Sequence, residues 1–441
     1  MEMIEQITDN STYDVIGVGI GPANLALAAA LEEEAPTLRR LFLDSKPAPV
    51  WHPGMLLDDA TIQLSVLKDL AMLRNPRSHF TFLNYLKAKG RLLEFLNLRD
   101  LFPTRVEFND YLVWVAGELG DRVRYGQEVV AISPLVEDGM VRRVVVQCRD
   151  IHTGETSELV TRNVVLATGG VPTLPEGIRL QPGGRAFHSS ETLYRLKQDY
   201  PDTNAPYRFI VTGAGQSGAE LFHHLLTRYP NAYITATIRQ FSYKPIDDSD
   251  FTNEIFFPEM VDFLYELPDA ERRMVLDSCN DVNYAVVDAS LIRRIYRLLY
   301  QEKVTGRNRA RIRSFLEIEN LMETEGAVVA RFRNLVRNKT LTLKADGLIL
   351  CSGYAWRSEH PLLEQLKPWL TPAESGYRIE RDYRVATDSS FTAAVYMQGF
   401  AERTHGVTET VLSLLPVRAG DIAQSLVGAR TARRAAVSYR F

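Results

Sequence analysis

The sequence predicts an α/β protein built on two parallel sheets, with a small helical insertion in the second. Three observations carry that reading. Two stretches about 195 residues apart each run apolar strand, glycine turn, helix, strand. Two further apolar runs end in small residues before glycine: Asn163–Ala167 ahead of Thr168-Gly169-Gly170, and Gly347–Leu350 ahead of Cys351-Ser352-Gly353-Tyr354. Between Phe251 and Glu302 the text changes to helical spacing with many charges and aromatics.

Tyr13–Gly19 is a short apolar strand ending in glycine. Asn24–Glu34 sets alanines and leucines at helical spacing, and Leu41–Leu43 is a second strand closed by Asp44. Such a unit needs parallel strands, because the helix returns the chain to the end where it began. The pattern recurs as strand Tyr207–Thr212, turn Gly213–Gly218, helix Ala219–Thr227 and strand Tyr233–Ile238, closed by Arg239.

Composition excludes other classes. Apolar residues make up 45% and charged residues 24% of the 441, the balance of a globular protein. A net charge of −4 gives no general attraction to nucleic acid or an anionic membrane. No apolar run approaches the ~18 residues of a membrane span. Cys148, Cys279 and Cys351 are too far apart for a CxxC pair or a zinc knuckle. The start, MEMIEQITDN, lacks the basic-then-apolar order of a secretory signal, so a cytoplasmic setting is expected.

In the first turn, Gly17-Val-Gly19-Ile-Gly21-Pro22, Gly17 is expected to make the bend and Gly19 to let a pyrophosphate approach the backbone. The helix N-terminus supplies positive potential there. Pro22 stands where GxGxxG has its third glycine, and proline suits a first helical turn. Asp44 is placed to bind ribose hydroxyls. The second turn, Gly213-Ala-Gly215-Gln216-Ser217-Gly218, is complete. There Arg239 replaces the acid, and a guanidinium grips a 2′-phosphate that a carboxylate would repel. The second nucleotide is read as NADPH, with Lys244 assisting; the competing reading for both cations is a solvated surface. Two facing Rossmann-like dinucleotide-binding domains imply hydride transfer from NADPH to FAD. With no CxxC, HExxH or GxSxG, the chemistry falls to the cofactor.

Longer motifs add a resemblance. They are Trp51-His-Pro-Gly-Met-Leu-Leu57, Leu67-Lys68-Asp-Leu70, Phe80-Thr-Phe-Leu-Asn-Tyr85, Glu107-Phe-Asn-Asp-Tyr-Leu112, Asp247-Asp-Ser249, Asn253-Glu-Ile-Phe256, Asn283-Tyr-Ala-Val-Val-Asp288, and His405-Gly406 followed by Leu412-Ser413. Together these resemble the microbial N-hydroxylating flavin monooxygenases of siderophore biosynthesis, most closely the L-ornithine N5-monooxygenases. The likeness runs from Tyr13 to Leu426, and Pro22 is a habit of that family. It implies that NADPH reduces FAD, that O2 adds as a flavin C4a-hydroperoxide, and that the side-chain amine of L-ornithine takes the distal oxygen. The amine must be neutral to attack, yet a free alkylammonium has a pKa of about 10.4. Few negative charges therefore belong near it.

The resemblance puts Trp51, His52 and Gln63 beside the flavin and Gln216 and Ser217 at NADPH. Lys68, Asn253, Asn283 and Ser413 surround the amino acid, with Gln63, Asn283 and Ser413 nearest the reacting atoms. Lys68 suits the substrate carboxylate. No metal is expected. Taken alone, Lys68 reads as a surface lysine, Asn253 and Asn283 as turn or cap residues, and Ser413 as a small core residue. Phe80, Phe82 and Tyr85 read as core aromatics, His52 and His405 as packed, and Arg430–Arg434 as a solvated tail.

The stretch Gly406-Val-Thr-Glu-Thr-Val-Leu-Ser413 departs from the family's commoner Gly-Leu-Ser-Asp-Thr-Leu-Leu-Ser. Substrate identity is thereby left open. L-lysine, or a diamine such as putrescine or cadaverine, is the runner-up, since one methylene is worth only ~1–3 kcal/mol. A general flavin monooxygenase and a non-catalytic flavoprotein are further alternatives. The domains expected are 1–175 with 368–441 for FAD, 176–250 with 303–367 for NADPH, and 251–302 as the substrate-binding insertion. By family habit the chain forms a homo-oligomer, a tetramer, acting on a small amine and O2 with no nucleic-acid or membrane partner.

Overall fold

A computed structural model describes residues 12–428, except 280, 281, 283, 284, 358 and 375. Asn283 and Arg430–Arg434 therefore lie outside the described residues.

β1 (Tyr13–Val18) leads through the first glycine turn into α1 (Pro22–Glu34) and β2 (Arg40–Leu43). Then come α2 (Phe82–Ala88), α3 (Leu92–Leu98), α4 (Arg105–Leu119) and the short β3 (Val123–Arg124). A long hairpin, β4 (Gln127–Glu137) and β5 (Met140–Asp150), runs into β6 (Thr156–Leu166). β6 serves two partners in succession. Its first half pairs antiparallel with β5, and its second half lies parallel to β1, Val18 opposite Leu166. Apart from Asn24, α1 is apolar from Pro22 to Leu31 before its three terminal glutamates, and Leu25 through Leu31 are buried between the sheet and other helices. Phe80, Phe82 and Tyr85 join the same core, as expected.

β7 (Val171–Pro172) opens the second unit. β8 (Ala186–His188), α5 (Thr192–Asp199), β9 (Arg208–Thr212), α6 (Gln216–Arg228) and β10 (Tyr233–Thr237) follow. β11 (Lys244–Pro245), α7 (Glu259–Glu266), α8 (Asp269–Ser278), β12 (Val286–Val287) and α9 (Ala289–Val304) fall in and around the helical stretch. Next are β13 (Ala310–Arg313), a meander of β14 (Leu316–Thr324), β15 (Ala327–Asn334) and β16 (Thr340–Ala345), then β17 (Gly347–Leu350). The parallel sheet has the order β13-β10-β9-β17-β8. α6 and α9 cover one face, while the meander covers the other through Ile318, Val328 and Phe332. β18 (Tyr354–Ala355) pairs with β7 at the junction of the two units. β19 (Ala394–Met397) returns to the first sheet beside β6, followed by α10 (Glu402–His405) and α11 (Leu415–Leu426).

Two boundaries differ from the expected ones. α9 packs through Leu291 and Ile295 into the second core, so it sits with the second unit and not with the insertion. The insertion's own apolar centre is Ile255, Met260 and Val282, closed by Val407 from the C-terminal segment. That segment rejoins the first core through Leu363 and Leu366, ahead of residue 368. The hairpin β4–β5 and the β14–β15 turn of the meander add to the expected elements, and each closes on a two-residue turn with a left-handed glycine, Asp138-Gly139 and Glu325-Gly326, a hairpin signal the sequence does carry.

Candidate active site

The structure corrects the frame of the first turn. Gly17 lies inside β1, opposite Phe42 and Val165. It is glycine because a Cβ there would stand 2.1 Å from the Phe42 ring. The bend falls at Gly19, with φ +88, where a Cβ would meet the Ala167 carbonyl oxygen at 2.5 Å. Gly21 then caps α1 with φ −87 and ψ −177. In the second turn a Cβ on Gly213, φ +143, would stand 2.5 Å from the Cys351 carbonyl oxygen, and Gly215 caps α6 with φ −88 and ψ −176. The matching frame is therefore Gly19-x-Gly21-x-x-Asn24 against Gly213-x-Gly215-x-x-Gly218. Pro22 is simply the first helical residue, and Asn24 occupies the third glycine's place.

Both helix N-termini are open. Neither cap uses a side chain, and neither first turn holds an acid. Among the described residues, their leading N–H groups meet no capping side chain and no acid of their own first turn. A Cβ on Gly21 would find nothing within 4 Å, and one on Gly215 only Ala285 Cα at 3.7 Å. A phosphate can approach either backbone closely. The residues present thus fit two dinucleotides.

Asp44 is buried at the end of β2, and its two carboxylate oxygens accept from Ile20 N at 2.8 Å and Lys46 N at 2.9 Å. It braces the turn. Arg239 is not its counterpart, since Gly19 N donates to Leu43 O and Gly213 N to Thr237 O. That register sets Ile238 opposite Asp44 and puts Arg239 one residue on. Arg239 is exposed, 3.8 Å from Glu317. Lys244 is exposed in β11.

A strap from Trp51 to Lys68 joins the two units. Trp51 N donates to Asn109 Oδ1 at 2.8 Å. Gly54 sits so close to the Ser190 carbonyl that any Cβ would overlap it. His52, in the left-handed region at φ +46, packs edge-on against Trp51 at 4.8 Å and Tyr354 at 5.5 Å. Burial, with positive Arg105 and Lys46 nearby, pushes its pKa down to about 4, although the residue keeps an exposed edge. It stays neutral near pH 7. Further on, Ile62 N donates to Pro103 O and Arg105 N to Ala60 O, laying exposed Gln63 beside the start of α4.

From that start Arg105 reaches the buried Glu220 of α6 at 3.0 Å. Gln216 Nε2 donates to Glu220 at 2.8 Å, and Gln216 Oε1 accepts from Asp288 N at 2.9 Å. Ser217, beside it, is half-buried. Gln63 and Gln216 thus belong to one junction.

The residues expected around an amino acid are spread over three segments. Lys68 ends a short turn of helix, half-buried and without an ion-pair partner among the described residues. Its neighbour Asp69 does not pair with it, because Asp69 turns inward to accept from Ala71 N, Met72 N and Phe82 N. Asn253 is half-buried, and its Nδ2 donates to Asp248 O at 2.9 Å. Ser413 is buried just ahead of α11. Packing of Ile255 on Val407 brings the Asn253 turn against the segment leading to Ser413. Lys68 and Asn253 share no hydrogen bond among the described residues.

Comparison with known proteins settles the family. Residues 11–356 match the family described as L-lysine 6-monooxygenase/L-ornithine 5-monooxygenase. The chain belongs to it. An L-ornithine N(5)-monooxygenase of Pseudomonas aeruginosa is 40% identical over 94% of this chain and 93% of its own length. The solved ornithine hydroxylase PvdA of the same species has TM-score 0.88 at 39% identity, covering 95% of this chain and 99% of that one. A Kutzneria sp. 744 ornithine N-hydroxylase with reduced FAD, NADP+ and L-ornithine has TM-score 0.90 at 34% identity, covering 95% and 99%.

For a member of this family, sequence reasoning missed the residues that brace the turns. Asn24 is fully buried, donating to Gly19 O at 2.8 Å and accepting from Gln398 Nε2 at 2.9 Å. A single asparagine amid the alanines and leucines of Pro22–Leu31 was the available signal. Glu220 gave a weaker one, as an acid on the buried side of a helix; only the fold brings Arg105 to it. Among the described residues, no helix is long and apolar enough to cross a membrane.

Proposed function

We propose that this chain is a FAD- and NADPH-dependent monooxygenase that hydroxylates N5 of L-ornithine for hydroxamate siderophore synthesis. The observation that carries the reading is the pair of open helix N-termini capped by Gly21 and Gly215, in two units joined by the contact of Arg105 with Glu220. FAD, when bound and reduced by NADPH, would supply the electrons that activate O2 for transfer of one oxygen atom, the other leaving as water. The first turn, braced by Asn24 and Asp44, holds the flavin nucleotide; the second, with Gln216, Ser217, Arg239 and Lys244, takes NADPH. Trp51, His52 and Gln63 line the flavin side and keep water out. Lys68, with no ion-pair partner among the described residues, meets the substrate carboxylate. Asn253, Asn283 and Ser413 surround the other end with neutral groups, which lets the amine shed its proton. The three unpaired cysteines suit the reducing cytoplasm, and a tetramer is the assembly proposed, read by light scattering.

The test is NADPH oxidation with hydroxylamine detection on ornithine, lysine, putrescine and cadaverine. N5-hydroxyornithine is the expected main product, whereas hydrogen peroxide alone with every amine overturns the reading. Lys68→Ala should raise KM for ornithine ~10–100-fold, the worth of a charge-assisted hydrogen bond. Wild-type activity on putrescine equal to that on ornithine would defeat the carboxylate role.

A further inference from the structure

One buried ion pair lies behind the substrate side of the site, and the reaction proposed above gives it no part. Glu409 and Arg418 are 1% and 5% exposed, with Arg418 Nη1 2.9 Å from Glu409 Oε2. Arg418 also donates to the Glu409 carbonyl at 2.8 Å. The other carboxylate oxygen accepts from Gly399 N, at the end of β19, where the backbone turns with φ +90. Glu409 therefore ties three pieces together: the last strand of the first sheet, the first turns of α11, and the short helical turn Val407–Glu409.

That turn touches the substrate side from two directions. Val407 packs with Ile255 and Met260 of the insertion, two residues from Asn253. Gly406, at φ +84, fits so tightly against Leu264 of α7 that a Cβ would lie 2.3 Å from its methyl carbon. Four residues beyond Glu409 comes Ser413. The strap 406–413 thus runs from the insertion to α11, and Glu409 is its charged anchor. Removing a buried carboxylate so placed leaves Gly399 N without its acceptor and Arg418 without its counter-charge, held only by the Glu409 carbonyl.

We infer that Glu409 is a positioning residue: it fixes the 406–413 strap, and through it the separation of Ser413 from Asn253 on which recognition of the substrate's amine end depends. The inference rests on the functional reading above. Arg381 supports the same face independently, pairing with Asp262 of α7 at 2.5 Å and with Asp421 of α11 at 3.0 Å. Loss of Glu409 alone should therefore loosen the strap without releasing the insertion.

Glu409→Gln is the decisive variant, because its oxygen still accepts from Gly399 N while its amide turns a donor toward Arg418. In the FAD-loaded enzyme, KM for ornithine should rise about tenfold and coupling of NADPH use to hydroxylated product should fall. Amide exchange over 406–414 should quicken roughly tenfold, with α1 and α6 unchanged. The rate of flavin reduction by NADPH should stay within about twofold. Glu409→Asp, which keeps the charge one methylene short, should fall between, and it supplies the same readings if the glutamine variant does not fold. Unchanged KM and exchange overturn the inference. So does a fall in FAD content and flavin reduction in step with KM, which marks a merely structural role. A wild type inactive on ornithine would overturn the functional reading instead, and the exchange measurement would still decide the anchor.

Discussion

The two glycine turns use one backbone and two ways of holding it. Their caps agree to within a degree or so, φ −87 and ψ −177 at Gly21 against φ −88 and ψ −176 at Gly215. At each bending glycine a Cβ would stand 2.5 Å from a carbonyl oxygen. The third positions diverge. Gly218 is bare because a Cβ would lie 2.5 Å from Gly213 O, whereas Asn24 turns its amide onto the equivalent Gly19 O at 2.8 Å. The first turn is then bolted by buried side chains, Asn24, Asp44 and Gln398. The second is braced mainly from outside, by Arg105 of α4 and Asp288 at the start of α9. An internally bolted cradle suits a nucleotide that stays. An externally braced one suits a nucleotide that comes and goes.

The largest effects should come from the bending glycines, and they should differ. Gly19→Ala forces a side chain into a left-handed bend, costing ~1–2 kcal/mol before any overlap with Ala167 O. It should yield no soluble FAD-containing protein. Gly213→Ala should fold and keep FAD, while NADPH affinity falls about 100-fold or more. Absorbance of bound flavin after gel filtration, with NADPH titration, separates the two. Equal loss of flavin in both variants breaks the comparison. Next in size is Asn24→Ala, which strips a bond from Gly19 O and leaves Gln398 Nε2 unpaired in the interior. It should lose about 2–4 kcal/mol of stability and much of its FAD, read by thermal melting and flavin content.

Much of this was legible beforehand, for a physical reason. Glycine between an apolar strand and a helix reports a backbone constraint that needs no partner from afar, so both strand–turn–helix units stand at Tyr13–Glu34 and Arg208–Arg228 as expected. The frame within the first unit was misread because Gly17-x-Gly19-x-x-Pro22 and Gly19-x-Gly21-x-x-Asn24 overlap in the text. Only β1's pairing with Phe42 shows that Gly17 belongs to the strand. Asp44 was located correctly, but its bonds to Ile20 N and Lys46 N depend on how the chain folds back. Arg105–Glu220 spans 115 residues, and Glu409–Gly399 joins two loops with no periodic signal. Such pairs exist only in the assembled fold.

Arg239 sharpens the comparison with a smaller effect. It is exposed and only loosely held by Glu317 at 3.8 Å, unlike the buried Asp44. Its worth should therefore appear in ligand discrimination and not in stability. Arg239→Ala should raise KM for NADPH roughly tenfold and leave NADH use and the melting temperature nearly unchanged. A matching loss with NADH would show that the guanidinium does not read the 2′-phosphate.

The smallest effect is a difference in how the two braces answer to pH. Burial raises the pKa of Glu220 above the ordinary glutamate value, and the nearby Arg105 guanidinium offsets this only in part. Between the unfolded and folded values, the native chain holds a proton that the unfolded chain has released. Stability contributed there is full below the unfolded pKa and declines as pH rises through the folded one, by at most about 1.4 kcal/mol per pH unit. Glu220→Gln carries no such proton. Its stability relative to wild type should therefore improve between about pH 5 and pH 8, measured by urea unfolding at each pH. Asn24→Ala changes no titrating group, so its deficit should be the same at both. A constant offset for Glu220→Gln would mean that Arg105 already holds the carboxylate ionised at the lower pH, and the outer brace would then be as insensitive to protons as the inner bolts.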